Sequence, residues 1–180
     1  MKTLAALCLL LTTAWATSAE NVERRDPYGY FFHDTFGDFR EELQTARDEG
    51  KQGIFLFFEM DECPFCHRMK DTVLNRSDVQ AWFRQHFLAF SVDVEGDIEI
   101  IDFQGNTMKQ KDFAFRQFGV RATPVLMFFD LDGKPVARYT GATADWQEFM
   151  LLARYVVEGA YRDQSFSRYK RKAKRQNRTP

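Results

Sequence analysis

In "GIFLFFEMDECPFCHRMK", residues 53–70, an apolar run of strand length gives way within three residues to a pair of cysteines. Residues 53–59 show no polar alternation, which is the pattern of a central strand covered on both faces. Pro64, directly after Cys63, suits the first turn of a helix, where its missing N–H costs no hydrogen bond. The segment therefore reads strand, tight turn, helix, with Cys63 at the helix start. Cys63-Pro64-Phe65-Cys66 spells a dithiol redox site, but with His67 added it also spells CxxCH, the attachment sequence of a c-type haem. The surrounding chain has to separate the two.

Upstream, residues 20–35 have no clear period and read as a leader. Phe36, Phe39, Leu43 and Ala46 recur at helical spacing, with Gly50 as a stop. Downstream, the helix opened by Pro64 should run through Met69 and Val73 to about Leu74. Ser77 can cap another helix, with Val79, Trp82 and Phe83 on one face. "FLAFSVDV", residues 87–94, is a second buried strand. The acidic stretch 95–108 carries a Gly-Asn turn and reads as a hairpin or an inserted loop. "KQKDFAFRQFGV" looks helical, with Phe115 and Phe118 inward and Gly119 at its end. "RATPVLMFFDLDGKPVARYTG" reads strand, Asp132-Gly133 turn, strand. A last helix begins at Thr143 or Asp145, with Trp146, Phe149, Met150, Ala153, Val156 and Val157 in its apolar stripe. Pairing must be mixed, because the turn between the last two strands is too short for a crossover.

The chain has 180 residues, the length of one ordinary domain. Residues 1–19 read as a secretory signal, with Lys2, the short apolar run Leu4 to Leu11 and a small-residue cleavage site at Ala16 or Ala19. Cys8 lies inside that run, so cleavage would leave Cys63 and Cys66 alone. Scaffold disulfides in exported domains close long loops, whereas two cysteines separated by two residues close almost none. The pair is there for its chemistry. Seven of the 25 basic residues fall between Ser165 and Pro180 with no acid among them, while all 26 acidic residues precede that stretch. The basic end reads as a solvated, disordered tail, with weak contact to a membrane surface as the sharper alternative; nucleic acid is not expected as a partner of an exported protein.

Taken together, the buried strand ending before CxxC, the "VRATP" segment and the closing hairpin and helix resemble the thioredoxin superfamily over roughly residues 36–161. Among its members the chain is similar to periplasmic thioredoxins associated with sulfur oxidation or disulfide interchange. The resemblance implies an α/β thioredoxin fold with a central mixed β-sheet flanked by helices. Around it lie a signal peptide (1–19), an N-terminal leader (20–35) and a basic C-terminal tail (162–180). It also settles the opening ambiguity, since a c-type cytochrome sets CxxCH in a mostly helical shell with a distal ligand rather than behind a buried strand.

The chemistry expected is thiol–disulfide exchange. At a helix N-terminus, free N–H groups and the helix dipole favour a thiolate, which makes Cys63 the nucleophile and Cys66 the resolving thiol. The resemblance implies that Pro124 is a cis proline against the cysteine pair and that the backbone of Thr123 pairs with an extended substrate. Phe65, between the cysteines, is expected to be exposed and to offer partners an apolar contact. Two positions depart from the family pattern. Glu62 stands where a tryptophan is usual, and Phe57 stands where a buried acid normally accepts a proton. Glu59, two residues on, is the candidate to take that role, and His67 is the candidate to tune the site. Glu59, Asp61 and Glu62 oppose a thiolate at Cys63, so the charge balance favours a reductase over an oxidase or isomerase.

Cysteine-containing exported proteins are the expected partners, with a membrane electron donor upstream and the periplasm as the compartment. No metal or other cofactor is required beyond the Cys63–Cys66 disulfide. A rival of another class is Cu(I) delivery, with Cys63, Cys66, His67 and Met60 or Met69 as soft ligands.

Overall fold

The computed structural model of the chain describes residues 22–176; the expected signal segment and the last four residues lie outside them. Helices α1 (Pro27–Tyr30) and α2 (Phe39–Asp48) precede strand β1 (Gly53–Glu59), and α3 (Pro64–Met69) continues as a π-helical turn over Lys70–Leu74. Then follow α4 (Ser77–His86), β2 (Phe87–Asp93), the short strands β3 (Glu99–Ile101) and β4 (Thr107–Lys109), and α5 (Gln110–Asp112) with a π-helical turn over Phe113–Gln117. Strands β5 (Val125–Phe129) and β6 (Pro135–Thr140), α6 (Trp146–Val157), a 3-10 turn at Ala160–Arg162 and α7 (Phe166–Gln176) complete the order.

The main sheet runs β2-β1-β5-β6, parallel between β1 and β2 and antiparallel elsewhere. It is the mixed sheet flanked by helices that the sequence implied. All seven residues of β1 are buried, because the strand is paired along both edges and covered on both faces. One face carries Phe55, Phe57, Phe87 and Phe128 against α3, α4 and α6. The other carries Ile54, Leu56, Phe58 and Phe129 against Phe39, Leu43 and Ala46 of α2 and against Phe113. Gly53 opens β1 where a Cβ would stand 1.9 Å from the carbonyl oxygen of Phe129, so only glycine lets β5 approach there.

Several expectations need correction. Phe36 is fully exposed, because α2 begins later, where the Asp38 side chain accepts a hydrogen bond from the Arg40 N–H at 2.9 Å. Ser77 is the first residue of α4 rather than its cap. Phe115 faces outward. The chain winds there as a π-turn, whose wider period brings Phe113 and Ala114 inward instead. Of the two readings of residues 95–108, the hairpin holds, with β3 and β4 paired from Glu99–Lys109 to Ile101–Thr107. Its loop is organised by Asp102, a fully buried carboxylate accepting N–H bonds from Gln104 and Asn106, both at 2.8 Å. Burial would raise the Asp102 carboxyl, but hydrogen bonds from Asn106, Gln117 and Gln104 outweigh it and hold the group below the usual range.

The two ends also depart from the simple reading. Residues 166–176, expected to be part of a solvated tail, form α7, which rests the ring of Phe166 on Tyr155 at 5.6 Å and pairs Lys170 with Glu148. At the other end, residues read as leader enter the core. Phe31 is fully buried, 4.8 Å from the ring of Phe83 and 6.0 Å from those of Phe55 and Phe149. His33 covers the outer edge of β2: its N–H donates to the Ala89 carbonyl at 2.7 Å, and its Nδ1 accepts the Ala89 N–H at 3.0 Å. This occupies an edge that would otherwise be open to another chain.

Phe31→Ala should therefore destabilise the domain by about 3–5 kcal/mol in chemical denaturation, the loss typical of a buried phenylalanine. A disposable leader would give no change. Burial, helped by the positive charge of Arg84, holds the His33 imidazole below its usual pKa. Because the folded value is the lower one, the stabilisation is complete above the ordinary histidine range and is lost as pH falls through the depressed value. Histidine titration by NMR, alongside denaturation at several pH values, should show both.

Candidate active site

Strand β1 ends at Glu59, and Met60, Asp61 and Glu62 carry the chain to Cys63, which caps α3. Cys63 Sγ accepts the backbone N–H of Cys66 at 3.1 Å, so this sulfur occupies the place that a serine or aspartate oxygen takes at other helix starts. The two cysteines form a disulfide with Cα atoms 5.2 Å apart. In this bonded form neither cysteine is open to solvent, since Cys63 is 2% exposed and Cys66 is fully buried. Both belong to the apolar cluster that includes Phe57, Phe32 and Leu126. The N-cap position, rather than accessibility, distinguishes Cys63 from Cys66.

Phe65 projects from the same turn and is 59% exposed. Arg68 lies 5.9 Å from its ring and donates to the Thr143 carbonyl at 3.3 Å, which fastens α3 to the approach of α6. His67 is exposed, and its Nε2 meets the carbonyl oxygen of Asp61 at 2.8 Å, bracing the turn before Cys63. Pro124 lies one step beyond the Phe58–Val125 pair, at the same end of the sheet as the disulfide; the Thr123–Pro124 bond is cis. Pro124 is buried and Thr123 half-buried.

Glu59 is not a solvated acid at a strand end. It is 6% exposed, with Oε2 2.7 Å from Lys70 Nζ and Oε1 accepting from Ser91 Oγ at 2.5 Å and Tyr28 OH at 3.0 Å. Lys70 also donates to Tyr28 OH at 2.8 Å. Burial works against the Lys70 ammonium, but hydrogen bonds to Glu59 and Tyr28 outweigh it and raise its pKa. Burial first, and then the charge of Glu59, raises the Tyr28 phenol. Lys70 follows Cys66 by four residues, on the same face of the active-site helix. Phe57 and Glu59 share one face of β1, the face against that helix. The ion pair thus lies about one helical turn beyond the resolving cysteine.

Sequence reasoning missed Lys70, Tyr28 and Ser91. Lys70 was visible as the i+4 partner of Cys66, and Ser91 as the one hydroxyl in an apolar strand; Tyr28, in a stretch without a period, left no signal. It also missed a cleft of about 450 Å³ beside Thr123, lined by Met60, Val120, Arg121 and the outward-facing Phe115. Phe115 is 54% exposed, and the Arg121 guanidinium lies 5.4 Å from its ring. Of the residues considered for Cu(I), Met69 is buried in the core, Met60 is half-buried and His67 is exposed. Among the described residues, no group of three or more His, Cys, Asp or Glu is arranged to hold a metal ion.

A family model described as a thioredoxin-like domain matches residues 39–156. The chain belongs to the thioredoxin-like family. It is 28% identical over 138 residues to the disulfide bond reductase DsbH of Chlamydia pneumoniae, covering 73% of this chain and 80% of that protein. Among solved structures, a thioredoxin-fold protein from Helicobacter pylori matches 69% of this chain and 81% of its own, with a TM-score of 0.56 at 21% identity. A putative disulphide-isomerase from Bacteroides thetaiotaomicron matches 74% of this chain and 94% of its own, with a TM-score of 0.54 at 24% identity. Both support the fold. With the family and the Cys63–Cys66 disulfide at the start of α3, this thioredoxin-like chain is a thiol–disulfide oxidoreductase.

Glu59→Ala would leave the Lys70 ammonium in a half-closed site without its anion. The expected loss is about 3 kcal/mol of stability in denaturant titration. Glu59→Gln, which keeps acceptors for Ser91 and Tyr28, should lose clearly less.

Proposed function

We propose that this chain is an exported reductase of protein disulfides, drawing electrons from a membrane donor and passing them to cysteine-containing partners in the periplasm. The observation that carries the reading is Cys63 at the helix N-cap, its sulfur held by the Cys66 N–H and bonded to the Cys66 sulfur. In the reduced form the same N–H and the α3 dipole favour a Cys63 thiolate. That thiolate attacks one sulfur of a partner disulfide, forming a mixed disulfide and releasing the other partner sulfur as a thiolate, which takes up a proton. Cys66 then loses its proton and attacks Cys63 Sγ, which frees the second partner thiol and regenerates the Cys63–Cys66 disulfide. Two electrons pass to the partner, and no cofactor is needed beyond the disulfide.

Glu59 is the group assigned to take the Cys66 proton, with Lys70 holding its carboxylate in place. Thr123 and Pro124 support an extended partner segment, Phe65 supplies an apolar contact, and His67 braces the turn that carries Cys63. The direction is favoured by Asp61 and Glu62, whose charges oppose a very acidic Cys63 thiol and hence a strongly oxidising pair. A relative named as a disulfide bond reductase supports the same direction. Export rests on the signal-like residues 1–19. No helix among the described residues is long and apolar enough to cross a membrane.

The reduction potential, measured by thiol alkylation in graded redox buffers, should fall near that of thioredoxin, about −270 mV. A value near about −120 mV would make the protein an oxidant and overturn the direction. Cys63→Ser should abolish reduction of a model disulfide protein, and Cys66→Ser should trap the mixed disulfide. Glu59→Gln should slow release of the partner about a hundredfold at neutral pH, with recovery as pH rises. An unchanged pH profile would remove Glu59 from the proton path.

A further inference from the structure

The basic C-terminal segment is shaped by its docking. Phe166, Tyr169, Lys170 and Ala173 are all half-buried, and they recur on one face of α7. The acids of α6 that meet this face are occupied by it. Glu148 is held by Lys170 and by Tyr139 OH at 3.2 Å, and Glu158 Oε2 accepts from Tyr169 OH at 2.7 Å. The opposite face carries Arg168, Arg171 and Arg175 at i, i+3 and i+7, flanked by Lys172 and Lys174, and all five are exposed. No acid falls between Ser165 and Gln176. The three arginines span roughly 10 Å of helix.

We infer that this outer face of α7 docks the protein on an anionic phospholipid surface. Charge complementarity favours that occupant in two ways. First, the face is a straight row of like cations whose apolar residues are turned inward, so it has no aromatic or aliphatic anchor of the kind on which protein interfaces concentrate their energy. A fluid array of phosphate headgroups needs no shape match and rewards charge density alone. Second, every acidic residue of the chain lies before α7, so an anionic surface attracts this helix and repels much of the rest of the domain. The contact is peripheral and electrostatic, without insertion, and therefore sensitive to salt. It uses none of the residues around Cys63 and Cys66, so it stands apart from the thiol chemistry.

The test is co-sedimentation of the mature protein with vesicles. It should bind vesicles of phosphatidylglycerol in phosphatidylcholine at low salt, bind pure phosphatidylcholine vesicles negligibly, and dissociate as salt is raised. The triple variant Arg168→Glu/Arg171→Glu/Arg175→Glu should partition at least about a hundredfold less, since each basic side chain near an anionic surface contributes about fivefold. A charge-matched control, Lys109→Glu/Arg116→Glu/Lys134→Glu, alters three exposed residues elsewhere and should bind like the parent. Circular dichroism establishes that the variants are folded, whatever their redox activity. Absence of binding to the anionic vesicles overturns the proposal, as does binding undiminished in the triple variant. Capture by an immobilised acidic polypeptide without capture by vesicles overturns it too, in favour of a protein partner.

Discussion

Everything at the active site hangs on β1. The strand is hydrogen-bonded to β2 on one side and β5 on the other, and its side chains enter both cores. Moving it by one residue would exchange Phe55 and Phe57 for Leu56 and Phe58 on every facing surface, so its register is set by packing throughout its length. Its last residue is four positions before Cys63. Three turn residues, one of them braced by His67, are all that separates the most constrained strand of the molecule from the reactive sulfur. The same strand aligns β5, whose first residue follows Pro124. Cysteine pair and proline loop thus come to one end of the sheet through a single shared element.

The polar cluster at Glu59 is the complement of that apolar frame. A carboxylate and an ammonium this well buried are expensive to desolvate, and they persist only where their remaining hydrogen-bonding capacity is met. Tyr28 and Ser91 meet it here, one from the N-terminal segment and one from β2. Tyr28 belongs to α1, and three residues later Phe31 plugs the aromatic core between α4 and α6. A segment outside the matched thioredoxin-like region thereby finishes both the core and the ion pair beneath the active-site helix. Placing the acid on Glu59 also leaves Phe57 free to form the apolar wall behind the disulfide.

How much of this was legible depended on whether the signal was local. The run in β1, the CxxC pair with Pro64, and the Asp132-Gly133 hairpin are written in consecutive residues, and the structure has strand, helix start and turn there. Asp145 caps α6 as one of the two starts considered. Phe115 was misread because a regular helical period was assumed where the chain takes a π-turn, a deviation that composition does not announce. Phe36 was misread because it extends the spacing of Phe39, Leu43 and Ala46 backwards across the Asp38 cap. The helical order of residues 166–176 was hidden by charge. Judged alone the run looks solvated, and only the acids of α6 and the rings of Tyr139 and Tyr155 supply the partners that order it.

The near-complete burial of both sulfurs bears on selectivity. A disulfide with 2% of Cys63 exposed offers little surface to an incoming sulfur, which favours one carried on a narrow segment. What surrounds the opening fits such a segment. On the proposed function, an extended chain laid along Thr123 would have Phe65 on one flank and, beside Thr123, a cleft that sets Phe115 among the charged Arg121, Lys111 and Asp112. Backbone pairing is indifferent to sequence, whereas the two phenylalanines reward apolar neighbours. Discrimination between partners would then come from the residues flanking the partner cysteine rather than from the thiol chemistry, which is the same for every disulfide.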